Sequence, residues 1–309
     1  MSEYLYLGVV ILMKKYILCD SEVTYTPDTK KDKMCTVYFP ADCKNNCKFC
    51  TSKQFYKINK PNKENVIKWL MALSHSDVSE IVFTGGEVMS DLILLEQMLE
   101  ICKSKNVYIN TTFLNTNREK FIQLVNNYKC IKGINISRHS ESYEKDSLIL
   151  NDIAADEDIL NIKTNVRINC FVGEKISKEK IELIIKRWET IWLRKKDRLL
   201  DISFRHDYNS ITPSTLHLLD TDSIKAATEV GEYYGRVYCH ACDKVLFKTK
   251  NGMDFRIHRG LQNTRVNIGS IVEMQELVLF PDGILCTDWD KTTDGLDEFM
   301  EILNIKKIK

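Results

Sequence analysis

Three cysteines stand close together in Ala41-Asp42-Cys43-Lys44-Asn45-Asn46-Cys47-Lys48-Phe49-Cys50. The spacing Cys-x3-Cys-x2-Cys gathers three thiolates in one loop, with no fourth in the same segment. Soft thiolates so placed reach one compact iron–sulfur cluster, and three of them on four irons leave one iron open to a small molecule. Taken alone, the triplet also suits a zinc knuckle. A second signal is Phe83-Thr84-Gly85-Gly86-Glu87, where glycines let the backbone approach a ligand closely. A third is Tyr238-Cys239-His240-Ala241-Cys242, followed by Cys286 beyond Pro281-Asp282-Gly283. Two thiolates from one turn serve an iron–sulfur cluster or zinc, with His240 or His258 able to complete a tetrahedral zinc site. An unligated pair with Cys286 in the core is the third reading of that group.

These residues need elements to hold them. From about residue 34, short apolar runs alternate with helical patterns. Strands are expected near residues 34–39, 80–83, 107–112, 133–137, 166–172 and 200–204, and helices near 62–73, 91–103, 117–127 and 178–193. Such alternation implies parallel pairing through right-handed crossovers, and so an α/β fold built as a partial (β/α)6 barrel. Residues 142–160 are polar and poorly periodic, and give only a weak helical signal. Between about 236 and 290 the pattern changes to β-hairpins, with turns at Lys250-Asn251-Gly252 and Pro281-Asp282-Gly283. The expected layout is an N-terminal extension over 1–33, the barrel over 34–215, and a small β-rich C-terminal extension over 216–309 carrying the second cysteine group.

With the strands in place, Cys43, Cys47, Phe49 and Cys50 resemble the cysteine signature of the radical S-adenosylmethionine (SAM) superfamily. That signature lies after the first barrel strand, and Phe49 takes its aromatic position. Gly85-Gly86-Glu87 resembles the superfamily's segment for the amino group of SAM, after the second strand. The likeness extends over about residues 34–205. It is nearest to the branch that includes the molybdenum-cofactor enzyme that rearranges GTP. Ile109-Asn110-Thr111-Thr112, Ile134-Asn135-Ile136-Ser137 and Val166-Arg167-Ile168-Asn169 are similar to that branch's next three strands. The resemblance implies a [4Fe–4S] cluster on Cys43, Cys47 and Cys50, and SAM held by Phe49, Gly85, Gly86, Glu87, Thr112, Ser137 and Asn169. It implies reductive cleavage of SAM to methionine and a 5′-deoxyadenosyl radical, which takes a hydrogen atom from the substrate. A flavodoxin- or ferredoxin-type electron donor is the implied partner. Cys239, Cys242 and Cys286 are similar to auxiliary-cluster extensions in the superfamily, which gives a second iron–sulfur cluster or zinc. The 43 residues between Cys242 and Cys286 make a longer gap than in the GTP-rearranging enzyme.

The chain also departs from that branch. Val88 stands where proline commonly follows, Arg138-His139 where Leu-Asp is usual, and Arg167 where lysine is more usual. The end, Ile305-Lys306-Lys307-Ile308-Lys309, lacks a di-glycine tail, which argues against the same reaction. Arg138, His139, Arg167 and Arg205 are the candidate substrate contacts. Cations at the C-terminal ends of barrel strands could meet a small anionic substrate, or could be loop residues paired with local acids such as Glu141 and Glu144. A peptide substrate is the alternative. The 33 residues before the first barrel strand are too few for an added leader-binding domain, which lowers it. A zinc-binding interaction protein without catalysis, and a barrel that binds SAM without releasing a radical, are the rival readings. The first leaves Gly85-Gly86-Glu87 unexplained.

Bulk properties narrow the field. Lys and Arg number 44 against 43 Asp and Glu, so the basic footprint of a protein that tracks a phosphate backbone is missing, and bulk nucleic-acid binding is disfavoured. Eleven cysteines are odd in number and poorly arranged for a disulfide framework, which fits a reducing cytoplasm. Cys19, Cys35, Cys102, Cys130 and Cys170 lie in apolar surroundings, as small buried hydrophobes do. The apolar stretch Tyr4 to Met13 is too short to span a bilayer, and reads as an extra strand or as sequence before a second start at Met13. The run Arg194-Lys195-Lys196-Asp197-Arg198 reads as a solvated helix end.

Overall fold

The computed structural model describes residues 15–18, 33–43, 50, 52–53, 56, 60–113, 116–138, 153–172, 178–206, 227–233, 244–258, 265–268, 271–274 and 276–308. Cys19, Cys47, Phe49, His139, Cys239 and Cys242 lie outside the described residues, as does the stretch Tyr4 to Met13.

Six strands run parallel and side by side in chain order: β2 (Met34–Phe39), β3 (Glu80–Gly85), β4 (Asn106–Thr111), β5 (Ile131–Ser137), β6 (Asn165–Val172) and β7 (Leu200–His206). Helices α1 (Lys63–Ser74), α2 (Leu92–Ile101), α3 (Arg118–Asn127), α4 (Ile153–Asp158) and α5 (Lys178–Arg194) occupy the crossovers. This is the expected partial barrel with its helical layer. Sequence cues set the helix starts. The Asn62 side chain accepts from Asn65 N at 3.1 Å, and Asp91 accepts from Leu94 N at 3.0 Å, each satisfying an amide that has no partner within the helix. In α5, Ile181, Ile185, Trp188 and Trp192 are buried, one stripe at helical spacing.

Strand residues alternate between two faces, and the two faces differ in chemistry. Val37, Phe39, Ile81, Phe83, Ile109, Ile134, Ile136, Ile168 and Ile202 join Leu70, Leu95, Phe121 and Trp188 of the helices in one apolar core. Each such fully buried side chain contributes about 1.5–3 kcal/mol. The intervening strand residues are largely polar, and they are tied to one another across the strands. Asn110 Nδ2 donates to Thr84 Oγ1 at 3.0 Å, and Asn135 Nδ2 to Asn110 Oδ1 at 2.6 Å. Arg167 meets Asp201 through two bonds of 2.8 and 3.0 Å, and Arg256 reaches the same carboxylate at 2.9 Å.

The C-terminal strands extend the barrel sheet at both edges. The hairpin β9 (Lys244–Thr249) and β10 (Asp254–His258) lays β10 parallel to β7, and β8 (Ala227–Tyr233) pairs antiparallel with β9. At the other edge β13 (Leu277–Leu279) runs parallel to β2 and carries β14 (Leu285–Cys286). Both expected turns occur, with Gly252 at φ +98° and Gly283 at φ +80°. A Cβ on Gly283 would lie 2.3 Å from Asn65 Cβ, so this turn packs against α1. A separate sheet joins β1 (Lys15–Leu18), β12 (Ile271–Met274) and β11 (Arg265–Ile268). The helix α6 (Leu296–Ile302) follows β14.

Two expectations change. The helix end is not wholly solvated, because Lys195 is buried and donates to Ile162 O at 2.6 Å and to both oxygens of Asp197. The polar stretch 142–160 contributes α4, whose acids Asp156 and Asp158 neutralise arginines from other elements.

Candidate active site at the strand ends

Parallel strands bring their C-terminal ends to one side of the sheet. Cys43 and Cys50 bracket the loop after β2, Gly85 ends β3 with Gly86 and Glu87 after it, Thr112 and Arg138 follow β4 and β5, and Asn169 lies within β6, level with the end of β5. Cys43 is half-buried and Cys50 exposed, whereas Cys35, Cys102, Cys130, Cys170 and Cys286 are all buried. Burial raises each of those five thiols, Cys170 to about 12. Cys43 and Cys50 are instead accessible at the mouth of the loop, where soft donors can meet a metal. That donor set fits an iron–sulfur cluster.

The cysteine loop and the glycine loop touch. A Cβ on Gly86 would stand 1.7 Å from Ala41 O, and one on Gly85 would stand 2.3 Å from Tyr38 Cδ1 and 2.4 Å from Tyr56 Oη. Gly85 also has φ +93°, a region that favours glycine. Both glycines are therefore required by the packing of the two loops, whatever they do for a ligand. The Tyr56 hydroxyl donates to Phe39 O at 2.8 Å and accepts from Gly86 N. Below it lies an aromatic group in which Tyr38 stacks on Phe280 at 5.4 Å and meets Trp289 edge-on at 5.7 Å.

Glu87 is almost fully buried and saturated. One carboxylate oxygen accepts from Met89 N at 3.0 Å and Thr111 Oγ1 at 2.5 Å; the other accepts from Thr112 N at 2.7 Å and Thr112 Oγ1 at 2.5 Å. The acid thus staples the end of β3 to the end of β4, and the Thr112 hydroxyl is committed to it. Val88, where proline is commoner in the resemblance, is fully buried in the core.

Arg138 forms a second staple. Its Nη1 donates to Thr112 O at 3.0 Å and Ser137 O at 2.9 Å, and its Nε meets Asp156 at 3.2 Å. Asp156 also binds Arg187. Arg167 sits lower on β6, paired with Asp201 as described. Arg138 and Arg167 are thus each paired with a buried aspartate, and each aspartate is shared with a second arginine. The expected pairing of Arg138 with a local acid occurs at Asp156; Glu141 and Glu144 lie outside the described residues.

Three polar atoms on the non-helical face are buried without a partner: Asn169 Oδ1, Ser203 Oγ and Arg205 Nε. Asn169 is the register partner of Ser137 on one side and of Ser203 on the other. Orphaned buried groups cost about 1–3 kcal/mol each, and their grouping on the adjacent strands β6 and β7 fits a site that a polar ligand completes. Ser203 was missed from the sequence, where it is an ordinary strand residue.

Glu276 was missed too. It precedes β13, accepts from Thr36 Oγ1 and from Trp289 Nε1 at 3.1 Å, and is fully desolvated, which raises its carboxyl to about 7. Cys286 lies on β14 in an apolar group with Tyr38, Val278 and Phe280, and burial raises its thiol to about 12. Its proposed co-ligands Cys239 and Cys242 belong to the undescribed connection between β8 and β9.

Comparison with known proteins gives one family match: the Radical SAM superfamily profile covers residues 37–167. No curated protein matches the chain. Solved structures that match include Streptococcus suis SuiB bound to S-adenosylmethionine, at 18% identity and a TM-score of 0.45, covering 60% of this chain and 43% of SuiB. SuiB bound to its precursor peptide SuiA matches at 16% identity and a TM-score of 0.44, covering 57% of this chain and 40% of SuiB. The structure of anSMEcpe with AdoMet and the Cp18Cys peptide matches at 16% identity and a TM-score of 0.39, covering 56% of this chain and 51% of that one. The matched region therefore spans about half or less of each of these proteins.

Proposed function

We propose that this chain, whose residues 37–167 match the Radical SAM superfamily, cleaves SAM reductively at the strand ends of its barrel and abstracts hydrogen from a polar substrate held on the non-helical face. The observation that carries the reading is the contact of Ala41, two residues before Cys43, with Gly86, which joins the start of the cysteine loop to the glycine segment. A [4Fe–4S] cluster on Cys43, Cys47 and Cys50 would supply the electron that splits SAM into methionine and a 5′-deoxyadenosyl radical. The protein's own part is placement. Carbonyls of the Gly85-Gly86 segment would receive the SAM ammonium group, Glu87 and Arg138 would hold the ends of β4 and β5 in place, and Asn169 would offer its orphaned oxygen to a ligand hydroxyl or amine. A flavodoxin- or ferredoxin-type protein would deliver the electron.

With Arg138 and Arg167 paired to aspartates, the rest of the non-helical face offers mainly amides and hydroxyls (Asn110, Asn135, Ser137, Asn169, Ser203). That chemistry supports a peptide over the small anionic substrate expected from the sequence. The charge of Arg205 acts on the buried Glu276 carboxyl, and His139 lies outside the described residues.

The test is made anaerobically on reconstituted, reduced protein. Four irons per chain, an electron paramagnetic resonance signal perturbed by SAM, and 5′-deoxyadenosine by mass spectrometry are expected, all lost in Cys43→Ala. Zinc without iron and no deoxyadenosine would overturn the reading in favour of a zinc-binding protein. Iron above four per chain that falls back in Cys286→Ala would support the second cluster proposed at Cys239, Cys242 and Cys286. Unchanged metal content in that variant would leave Cys286 as a core thiol.

A further inference from the structure

Tyr56 belongs to none of the motifs, yet it sits where the two functional loops meet. Its hydroxyl donates to Phe39 O, the last carbonyl of β2 before the cysteine loop, at 2.8 Å, and accepts from Gly86 N. The same oxygen occupies the space that a Cβ on Gly85 would need. The ring is partly buried against the group containing Tyr38, Val278, Phe280 and Cys286, 6.3 Å from Tyr38. The hydroxyl is thus a donor to the strand that leads into the cysteine loop and an acceptor from the glycine loop.

We infer that Tyr56 is a positioning residue for SAM, its hydroxyl fixing the Gly85-Gly86 peptides at the height of the cysteine loop. The inference rests on the SAM-cleaving reading of this site and adds a residue to it. With the Gly86 N–H committed to Tyr56, this amide is closed to a ligand. The segment is left with carbonyls to offer, which match an ammonium group, a donor only. Without the hydroxyl, two buried backbone groups lose their partner, and the Gly85-Gly86 peptides are free to turn.

The experiment uses Tyr56→Phe, which keeps the ring and removes one oxygen, compared with wild type as anaerobically reconstituted protein. Iron content and unfolding midpoint should stay close to wild type. The dissociation constant for SAM should rise about tenfold, which corresponds to 1.4 kcal/mol, and the resonance signal should respond to SAM only at correspondingly higher concentration. Deoxyadenosine formation at saturating SAM should change less than threefold, so the effect falls on KM and not on kcat. Amide exchange at Gly86 should be slow in wild type and faster in the variant. Unchanged SAM affinity, or loss of iron in Tyr56→Phe, would overturn the inference. Fast exchange of Gly86 in wild type would overturn it without any substitution. A wild-type protein whose signal ignores SAM would instead sink the parent reading, and Gly86 exchange would still report on the tie.

Discussion

Residues that look alike in the sequence have opposite fates in this fold. Glu87 lies in a motif read as contacting SAM, yet its carboxylate is filled by four donors from its own chain. Glu87→Gln turns a donor toward donors, and should lower the unfolding free energy by about 2 kcal/mol, measured by denaturant titration, while also weakening SAM binding. Asp201 pairs with both Arg167 and Arg256. Asp201→Asn strands two buried guanidinium groups and should cost about 3 kcal/mol in the same titration. Were Arg167 a free substrate-binding cation, that substitution would barely register. Glu276 has its carboxyl raised from 4.5 to about 7, so the folded state binds the proton more tightly than the unfolded state does. Its stabilising effect is complete below about pH 4.5 and is lost as pH rises through about 7, a change on the order of 3 kcal/mol. Glu276→Gln should therefore gain stability relative to wild type across that window, and a difference between the two proteins that does not vary with pH would refute the assignment. None of these partners was legible beforehand. A carboxylate's chemistry is visible in the sequence, but apart from the Met89 amide the groups these acids face lie 13 or more residues away along the chain.

At the scale of elements, most of the pattern was readable. The six barrel strands and the helices α1, α2, α3 and α5 appear within a few residues of where periodicity places them, because burial on one face imposes a period on the chain. The stretch 142–160 was poorly legible because α4 is short and its visible contribution is acidic. Asp156 and Asp158 serve arginines just after β5, on α5 and on α3, and a charge that acts as a partner leaves no hydrophobic period. Loop packing was equally hidden. Gly86 reads as a ligand-binding glycine, whereas its Cβ position is taken by Ala41 O. Gly86→Ala should push the cysteine loop off the glycine loop. The circular dichroism of the barrel should be kept while the iron bound after reconstitution falls well below wild type. Retention of full iron would mean that the loops can part without consequence.

At the scale of the whole molecule, the C-terminal segment is structural to the barrel and not an appendage in its hydrogen bonding. β13 closes the free edge of β2 and β10 closes that of β7, and the 281–283 turn is held by a bond from Asn62 N to Pro281 O at 2.7 Å. Ending the chain at residue 275 should uncover β2, a long apolar edge strand, and give a product that associates on size-exclusion chromatography. A monomeric, folded product would show β13 to be dispensable. No helix among the described residues is long and apolar enough to cross a membrane. What the sequence determined by itself was the chemistry and the class of fold: three soft ligands at a set spacing, a glycine cradle one strand later, and a strand–helix alternation that admits parallel pairing. These are local or periodic properties, written in neighbouring residues. Only the tertiary structure decided which cations are already paired, which glycines answer to packing, that Tyr56 bridges two loops, and that Ser203 and Glu276 are buried. Each of those facts depends on groups that meet through the sheet from distant parts of the chain, and no local pattern encodes such a meeting.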